Sequence, residues 1–508
     1  MRIERTKNAT RNITYGIIQK IYSIIVPFLM RTIMIYFMGV QYLGLDSLFT
    51  SILQVLNLAE LGVGSAMVYG MYKPIVEDDK VTICALMKIY RLYYRVIGGI
   101  IAVIGVVLTP FIPVLVKSDL PSELNIYILY LLNLAATVCS YWLFAYKNCL
   151  LQAHQRTDVV SKITLVINTI QYVVQFLLLF IFKNYYFYVI TLLIGQAAIN
   201  IVTAIVVNKI YPEYKAQGKL SKNSIHDINN RVKDLFTAKI GSVVVNSADS
   251  IIISSFLGLT ALAIYQNYYY IITAVIGIVS VIFNSCTAGI GNSIIVESKE
   301  KNYNDLKKFT FIISWIAGFC ICALLCLFQT FMEIWVGKDL MLEFSAVICF
   351  CCYYFVYEIN SLLILYKDAA GIWHKDRFRP LITALTNLVL NLILVNFIGI
   401  YGVLLSTVIS TLLIGFPWLV RNLFSEIFHI SPKEYLYKLL KYVIIVIITA
   451  IITYMLCSLV KGEASIIILI IKAIICAIVS NLLFFMFYRK NEEMNETIDL
   501  VKKMLKIN

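Results

Sequence analysis

The sequence predicts an all-α integral membrane protein of about fourteen transmembrane helices. They form two six-helix lobes related by pseudo-two-fold symmetry, plus two C-terminal helices. Three observations lead there: a strongly apolar composition, a one-sided distribution of basic residues, and a weak internal repeat. Of 508 residues, 60% are hydrophobic and 14% charged, with a mean hydropathy of +0.83. Soluble domains lie nearer half apolar and a quarter charged, so there is too little polar surface here to clothe soluble cores.

Windows of about 20 apolar residues, the length that crosses a bilayer, mark the spans in order. Six fall at about 13–37, 43–71, 91–117, 122–147, 160–182 and 186–208. Six more fall at about 235–257, 260–291, 309–332, 342–366, 380–398 and 401–421, and a last pair at about 441–460 and 464–488. The implied organisation is an N-lobe over 1–208, a cytoplasmic linker over 209–234, a C-lobe over 235–421, an added pair within 422–488, and a cytoplasmic tail over 489–508. Met1–Asn12 is polar and the apolar stretch after it is too long for a cleavable signal, so the first span reads as an uncleaved anchor.

The basic residues test this segmentation. With the N-terminus placed inside, 34 of the 43 Lys and Arg fall in inside segments, and only Lys117, Lys183, Lys338 and Lys461 fall in outside loops. Skipping one helix would invert every later loop and destroy that asymmetry. An even number of spans with both termini cytoplasmic follows from the positive-inside rule. The net charge of +14 is therefore topology, not a nucleic-acid patch.

No loop exceeds about 27 residues, so no extramembrane domain is expected. No GxxxxGK[S/T] phosphate loop occurs. The longest outside loop, about Glu333–Met341, is too short to carry the catalytic residues of a glycolipid polymerase or ligase, and an enzyme is not expected. The twelve Cys lie in spans or at the cytoplasmic face without zinc-ligand spacing, and read as small hydrophobes. Neither a metal nor an organic cofactor is implied.

The repeat has an offset of about 220 residues. Tyr146-Lys147 through His154 matches Tyr366-Lys367 through His374, and Phe37-Met38-Gly39-Val40 matches Phe256-Leu257-Gly258-Leu259. The first pair follows spans four and ten, the second spans one and seven. Six spans per half preserve orientation, which makes the repeat parallel, about an axis along the membrane normal.

Ionisable residues within spans are costly unless they face a cavity or a partner. Arg31 lies late in the first span, Glu60 in the second, Lys239 and Asp249 in the seventh, and Glu358 in the tenth. Asn246, Asp249 and Ser250 share one helical face, which should look into the protein. Arg31 is read as facing the lumen, with snorkelling to the outer interface as the alternative. For Glu60 and Asp249 the alternative is an interhelical hydrogen bond. Tyr265, Tyr268 and Tyr269 could stack on sugars or belong to an aromatic belt. Lys147, His154, Lys367, Asp368, His374 and Arg377 mark a cytoplasmic gate, with structural hydrogen bonding as the plainer reading of the two histidines.

The run Gly44–Leu48, Leu58-Ala59-Glu60-Leu61-Gly62-Val63-Gly64-Ser65-Ala66 and Tyr72-Lys73-Pro74-Ile75 resembles the opening of bacterial polysaccharide repeat-unit flippases. Lys239-Ile240-Gly241 with Val245-Asn246-Ser247-Ala248-Asp249 resembles their seventh span. Tyr366-Lys367-Asp368-Ala369-Ala370-Gly371, then Asp376-Arg377 and Arg379-Pro380, resembles their loop after the tenth. The family belongs to the superfamily of multidrug and oligosaccharidyl-lipid exporters. The resemblance implies movement of a polyprenyl-diphosphate-linked oligosaccharide, on undecaprenyl, from the inner to the outer leaflet of the plasma membrane by alternating access, for capsule, O-antigen or related polymers. Arg31, Lys239, Asn246 and the three tyrosines are then candidates to receive diphosphate and glycan. Glu60, Asp249 and Glu358 are candidates to exchange H+ or Na+. Membrane lipids, a polysaccharide polymerase and glycosyltransferases of the same pathway are the expected partners. The alternatives are a multidrug or cation antiporter of the same superfamily and a peptidoglycan lipid II flippase.

Overall fold

The computed structural model describes residues 5–505 other than 61, 118, 119 and 122. No strand occurs among them. The helices are α1 (Arg5–Phe37), α2 (Val40–Leu56), α3 (Val63–Val76), α4 (Lys80–Leu108), α5 (Ile126–Trp142), α6 (Asn148–Ala153), α7 (Thr157–Phe182), α8 (Tyr185–Ile210) and α9 (Lys222–Leu257). They continue as α10 (Leu259–Val296), α11 (Lys299–Val336), α12 (Phe344–Ala369), α13 (Arg379–Ile398), α14 (Ile400–Ser410), α15 (Phe416–Leu423), α16 (Lys433–Ser458), α17 (Ile466–Tyr488) and α18 (Glu492–Leu505). The chain divides into two compact units, Met1–Ala263 and Ile264–Asn508.

Among the described residues, eleven helices are long and apolar enough to cross a membrane, or twelve when the bent pair α5–α6 is counted as one span. The fourteen expected spans all coincide with helical segments, but three are not straight, uninterrupted apolar helices. The second is broken between α2 and α3, where a 3-10 turn, Asn57–Glu60, precedes Gly62 at φ 91°, a conformation glycine adopts without a Cβ penalty. The fourth bends by 44° between Trp142 and Ala145, with Phe144 at φ 60°. The Trp142 indole nitrogen donates to the Arg95 carbonyl at 3.1 Å and ties the bend to α4. The seventh is apolar only over Val243–Leu257, because α9 starts early, at Lys222, capped by the Ser221 hydroxyl accepting from the Ser224 amide. The polar stretch expected as a linker is thus half helical, and only about 211–221 is non-helical.

In the first unit the repeat becomes geometry. Gly39 joins α1 to α2 at φ 110°, ψ 165°; Gly258 joins α9 to α10 at φ 95°, ψ 173°. The two matched glycines thus make the same sharp turn, one that a residue with a Cβ enters only with strain. The C-terminal end of α9 is anchored by Lys117, whose ammonium donates to the Phe256 carbonyl at 2.6 Å. Ser254 donates to the Leu115 carbonyl at 2.7 Å. A cation at a helix C-terminus satisfies its orphan carbonyls. Gly44 packs on Leu259 backbone, where an added Cβ would lie 2.9 Å from the carbonyl carbon and 3.1 Å from Cα. Backbone cannot yield as a side chain can, so Gly44→Ala should destabilise by about 1 to 3 kcal/mol, read as a lowered melting temperature in detergent.

In the second unit α11 is the central packing helix. A Cβ at Gly318 would fall 2.6 Å from Phe484 and 2.8 Å from Val446, so the missing side chain is what lets α16 and α17 close on α11. Lys472 of α17 donates to Thr330 of α11 at 3.0 Å. Beyond the last span, α18 is fastened by Lys438 to Glu493 at 2.6 Å and Lys308 to Glu496 at 3.5 Å. Pro417 lacks the N–H that its helix would use, and π-helical turns stand on either side of it, at Thr411–Gly415 and Phe424–Phe428.

Candidate functional site

In the first unit, the broken second span presents Glu60 at the end of its 3-10 turn. The carboxylate accepts from the Tyr94 hydroxyl at 2.5 Å through one oxygen and from the Tyr141 hydroxyl at 2.9 Å through the other. Tyr141 lies also 3.1 Å from Asn57 Oδ1, and Tyr90 donates to Tyr94 at 2.7 Å. Tyr90 and Tyr94 are one turn apart on α4, and Tyr141 comes from α5. Three buried tyrosines therefore surround one half-buried carboxylate in a continuous hydrogen-bonded chain. The expected alternative for Glu60, an interhelical hydrogen bond, is present twice over. The Gly64 Cβ position lies 3.1 Å from the Tyr90 hydroxyl, so that glycine makes room for the same cluster.

Arg31, half-buried on α1, stands close enough to Asp46 of α2 for Coulombic attraction, and Tyr188 of α8 lies in the field of both. Sequence reasoning missed Asp46, which sits three residues inside the edge of its span and passes for an interfacial acid. On α9, Ser247, Asp249, Ser250 and Ser254 are all buried, and Ser247 donates to Gln54 of α2 at 3.3 Å. Asp249 and Ser250, two of the three residues expected on one face, are thus among the buried ones. Lys239 and Asn246 lie on the same helix, with side chains outside the described residues.

In the second unit, Glu358 of α12 is 1% exposed. The Tyr354 hydroxyl lies beside it, one turn back on the helix, yet neither carboxylate oxygen has a partner at hydrogen-bonding geometry among the described residues. The aromatic trio is less open than expected. Tyr268 is 0% exposed, its ring lying 4.8 Å from Phe328 and 6.0 Å from Phe350. Its hydroxyl donates to Gln329 at 2.7 Å and accepts from the Leu342 amide at 3.1 Å. It braces the loop between α11 and α12 and has no face for a sugar. Tyr265, also buried, stacks on Tyr269 at 5.6 Å, leaving the half-buried Tyr269 as the member best able to meet a ligand.

Just beyond the matched segments after spans four and ten stands an ion cluster centred on a buried aspartate, half-open in the first unit and buried in the second. In the first unit Asp158, fully buried, pairs with Arg156 at 2.9 Å and Lys162 at 3.6 Å. In the second, Asp376 takes Arg379 through two bonds of 2.7 and 2.9 Å and lies 3.6 Å from Lys367. Lys367 also pairs with Asp368 at 2.5 Å. Of the expected gate residues, Lys367 and Asp368 belong to this cluster, and Lys147 bonds Asn208 instead. His154 is buried between Tyr211 and Tyr214, with ring centroids 4.5 and 5.8 Å away, and its Nδ1 meets the Leu150 carbonyl at 2.8 Å. Burial pushes its imidazole below the ordinary histidine value, so this site resists protonation, and its contribution to stability is lost as pH falls. His374 and Arg377 are exposed, Arg377 lying 4.6 Å over Phe378; the residues that hold the cluster, Asp376 and Arg379, were not on the expected gate.

The profile of polysaccharide biosynthesis proteins matches residues 9–287, more than half the chain. The chain belongs to the polysaccharide biosynthesis protein family. Solved structures that resemble it include a flippase and transporters. Among solved structures, the lipid II flippase MurJ in its inward closed conformation is similar over 94% of this chain and 99% of its own, with a TM-score of 0.66 at 15% identity. An inward-facing multidrug resistance MATE family transporter of the MOP superfamily covers 80% of this chain and 93% of its own, with a TM-score of 0.60 at 13% identity. A Vibrio cholerae MATE transporter gives 83% and 98%, with a TM-score of 0.53 at 14% identity. No curated protein sequence matches. This family member thus has the two-lobed fold of flippases and exporters, as the internal repeat predicts.

Proposed function

We propose that this membrane protein moves a polyprenyl-diphosphate-linked oligosaccharide from the inner to the outer leaflet for cell-surface polysaccharide synthesis. The observation that carries the reading is the family match over residues 9–287, on a fold whose neighbours include a flippase. The residues supply fitting chemistry. A diphosphate crossing about 30 Å of hydrocarbon needs a cation inside the spans, and Arg31 is one, with the Asp46 carboxylate near enough to attract it. An inside-negative potential also favours outward movement of an anion, by about 2.3 kcal/mol per charge per 100 mV.

For coupling, Glu358 is the strongest candidate to exchange a proton or sodium ion between inward- and outward-facing states. A buried carboxylate without hydrogen-bond donors is costly when ionised, so its charge state and its access to water would change together. Glu60 already has two donors, and its tyrosine chain suits proton delivery. Glu358→Gln keeps the shape and removes the titration: the protein should fold and translocate downhill, while the dependence of transport on a pH or sodium gradient falls at least tenfold. Unchanged gradient dependence in Glu358→Gln would move the coupling to Glu60 or Asp249.

Deleting the gene and identifying which lipid-linked glycan builds up on the inner side of the membrane tests the substrate. Accumulation of an oligosaccharide on polyprenyl diphosphate supports the reading. Accumulation of lipid II points to the peptidoglycan precursor, and sensitisation to dyes or drugs without glycan accumulation points to an exporter.

A further inference from the structure

Outside the residues assigned to translocation, the first unit contains a cavity of about 360 Å³ between α4 and the segment that joins α8 to α9. Four of its lining side chains are Lys88, Arg91, Arg95 and Lys219, and no acid lines it. Lys88, Arg91 and Arg95 recur at three- and four-residue intervals, which sets them on one face of α4. Lys219 is brought to them by the connecting segment.

That segment is held in place. Lys80 pairs with Glu213 at 3.0 Å, and Tyr93 donates to Asn229 at 2.7 Å. Between those ties Gly218, at φ 96°, sits where an added Cβ would be 3.4 Å from the Ala85 Cβ. The chain can pass this close to α4 in a left-handed conformation because the residue is glycine. Arg91 is steadied over the Tyr146 ring, 6.0 Å from its centroid. Among the described residues, Arg95, Lys88 and Lys219 have no acidic partner at ion-pair distance. Four like charges collected without a counter-ion repel one another unless an anion joins them.

Depth in the bilayer identifies that anion. Counting about 20 residues back from the opposite end of this span, near Thr109–Pro113, sets the edge of the hydrocarbon close to Leu92. Lys88 and Arg91 then lie at headgroup level, and Arg95 one turn deeper, within snorkelling reach. Above the cavity the exposed face of α4 is apolar, through Leu92, Val96 and Val103. Cations below and a strip for an acyl or prenyl chain above match a phosphate-bearing lipid.

We propose that Lys88, Arg91, Arg95 and Lys219 form a binding site for a lipid-borne phosphate on the basic face of the membrane. The site takes its charge from both α4 and the connection between the halves of the chain. A bound lipid therefore bridges the two and favours the state in which the connection is docked. This goes beyond the translocation reading and holds whichever glycan is moved.

The test uses the full-length protein in phosphatidylcholine nanodiscs doped either with phosphatidylglycerol or with undecaprenyl phosphate, and counts retained lipids by native mass spectrometry. The wild type should retain the phosphate lipid over phosphatidylcholine, and the double variant Arg95→Gln, Lys219→Gln should retain it about twenty-five-fold more weakly, at roughly fivefold per cation at a membrane surface. The charge-keeping variant Arg95→Lys, Lys219→Arg should retain it, and raising salt should strip it from the wild type. Preference for phosphatidylglycerol assigns the site to bulk lipid, and preference for undecaprenyl phosphate assigns it to the carrier; both support a lipid-phosphate site. Equal retention by the wild type and the neutral double variant, or retention that salt does not change, overturns it. A failed glycan assay with intact lipid retention would count against the translocation reading alone.

Discussion

Replacing Arg31 with alanine should lower translocation of a lipid-linked diphosphate by about thirty- to a hundredfold in reconstituted vesicles. The magnitude corresponds to roughly 2 to 3 kcal/mol, the worth of a charge-assisted hydrogen bond to phosphate, at tenfold per 1.4 kcal/mol. Lysine at this position retains the charge but loses the two-pronged geometry of a guanidinium, so Arg31→Lys should fall between the two. The attraction between Arg31 and Asp46 adds a control of opposite sign. Asp46→Asn removes the carboxylate that competes with phosphate, and the apparent affinity for the diphosphate should rise rather than fall. If Arg31→Ala and Asp46→Asn both leave transport unchanged, Arg31 is a structural or interfacial charge.

Asp376→Ala should be the most damaging single change to stability, costing about 3 to 5 kcal/mol. Asp376, Arg379 and Lys367 are each less than a tenth exposed, and removing one partner of a buried pair leaves the others uncompensated. Arg379 loses a two-bond clamp, and Lys367 keeps only Asp368. Asp376→Asn, which still accepts a hydrogen bond, should cost less. His374→Ala and Arg377→Ala, at exposed positions two residues and one residue away, should lie within about 0.5 kcal/mol of the wild type. Thermal unfolding in detergent separates these cases; a loss for Asp376→Ala no larger than for Arg377→Ala would show that the cluster carries no net stability.

What could be read from the sequence follows from what a one-dimensional pattern records. Hydropathy windows and the positions of Lys and Arg report the bilayer directly, so the helical segments and the repeat are legible. Gly39 and Gly258 were legible as a matched pair, while the turn they share shows only in their dihedral angles. The break after Glu60 was hidden because a window averages across Gly62, and two short apolar helices sum to the same score as one long one. Tyr94 and Tyr141 could not be assigned to Glu60, being 34 and 81 residues away on other helices. Tyr268 shows the converse: its type and spacing fit stacking on a sugar, and only its neighbours Phe328, Phe350, Gln329 and Leu342 reveal a brace. The cluster at Asp376 left one usable signal, an Asp and an Arg three residues apart just after the segment matched to Tyr146–His154.

The central claim, that a polyprenyl-diphosphate-linked glycan crosses the membrane through this protein, is tested most directly in proteoliposomes. Vesicles containing the purified chain and an undecaprenyl-diphosphate-linked oligosaccharide are treated with a membrane-impermeant glycosidase, and the fraction of glycan cleaved is followed with time. With the wild type, the protected inner pool should become accessible within the assay, while vesicles containing Arg31→Ala should resemble empty ones. An inner pool that stays protected in the presence of folded wild-type protein, with or without a pH or sodium gradient, would contradict it.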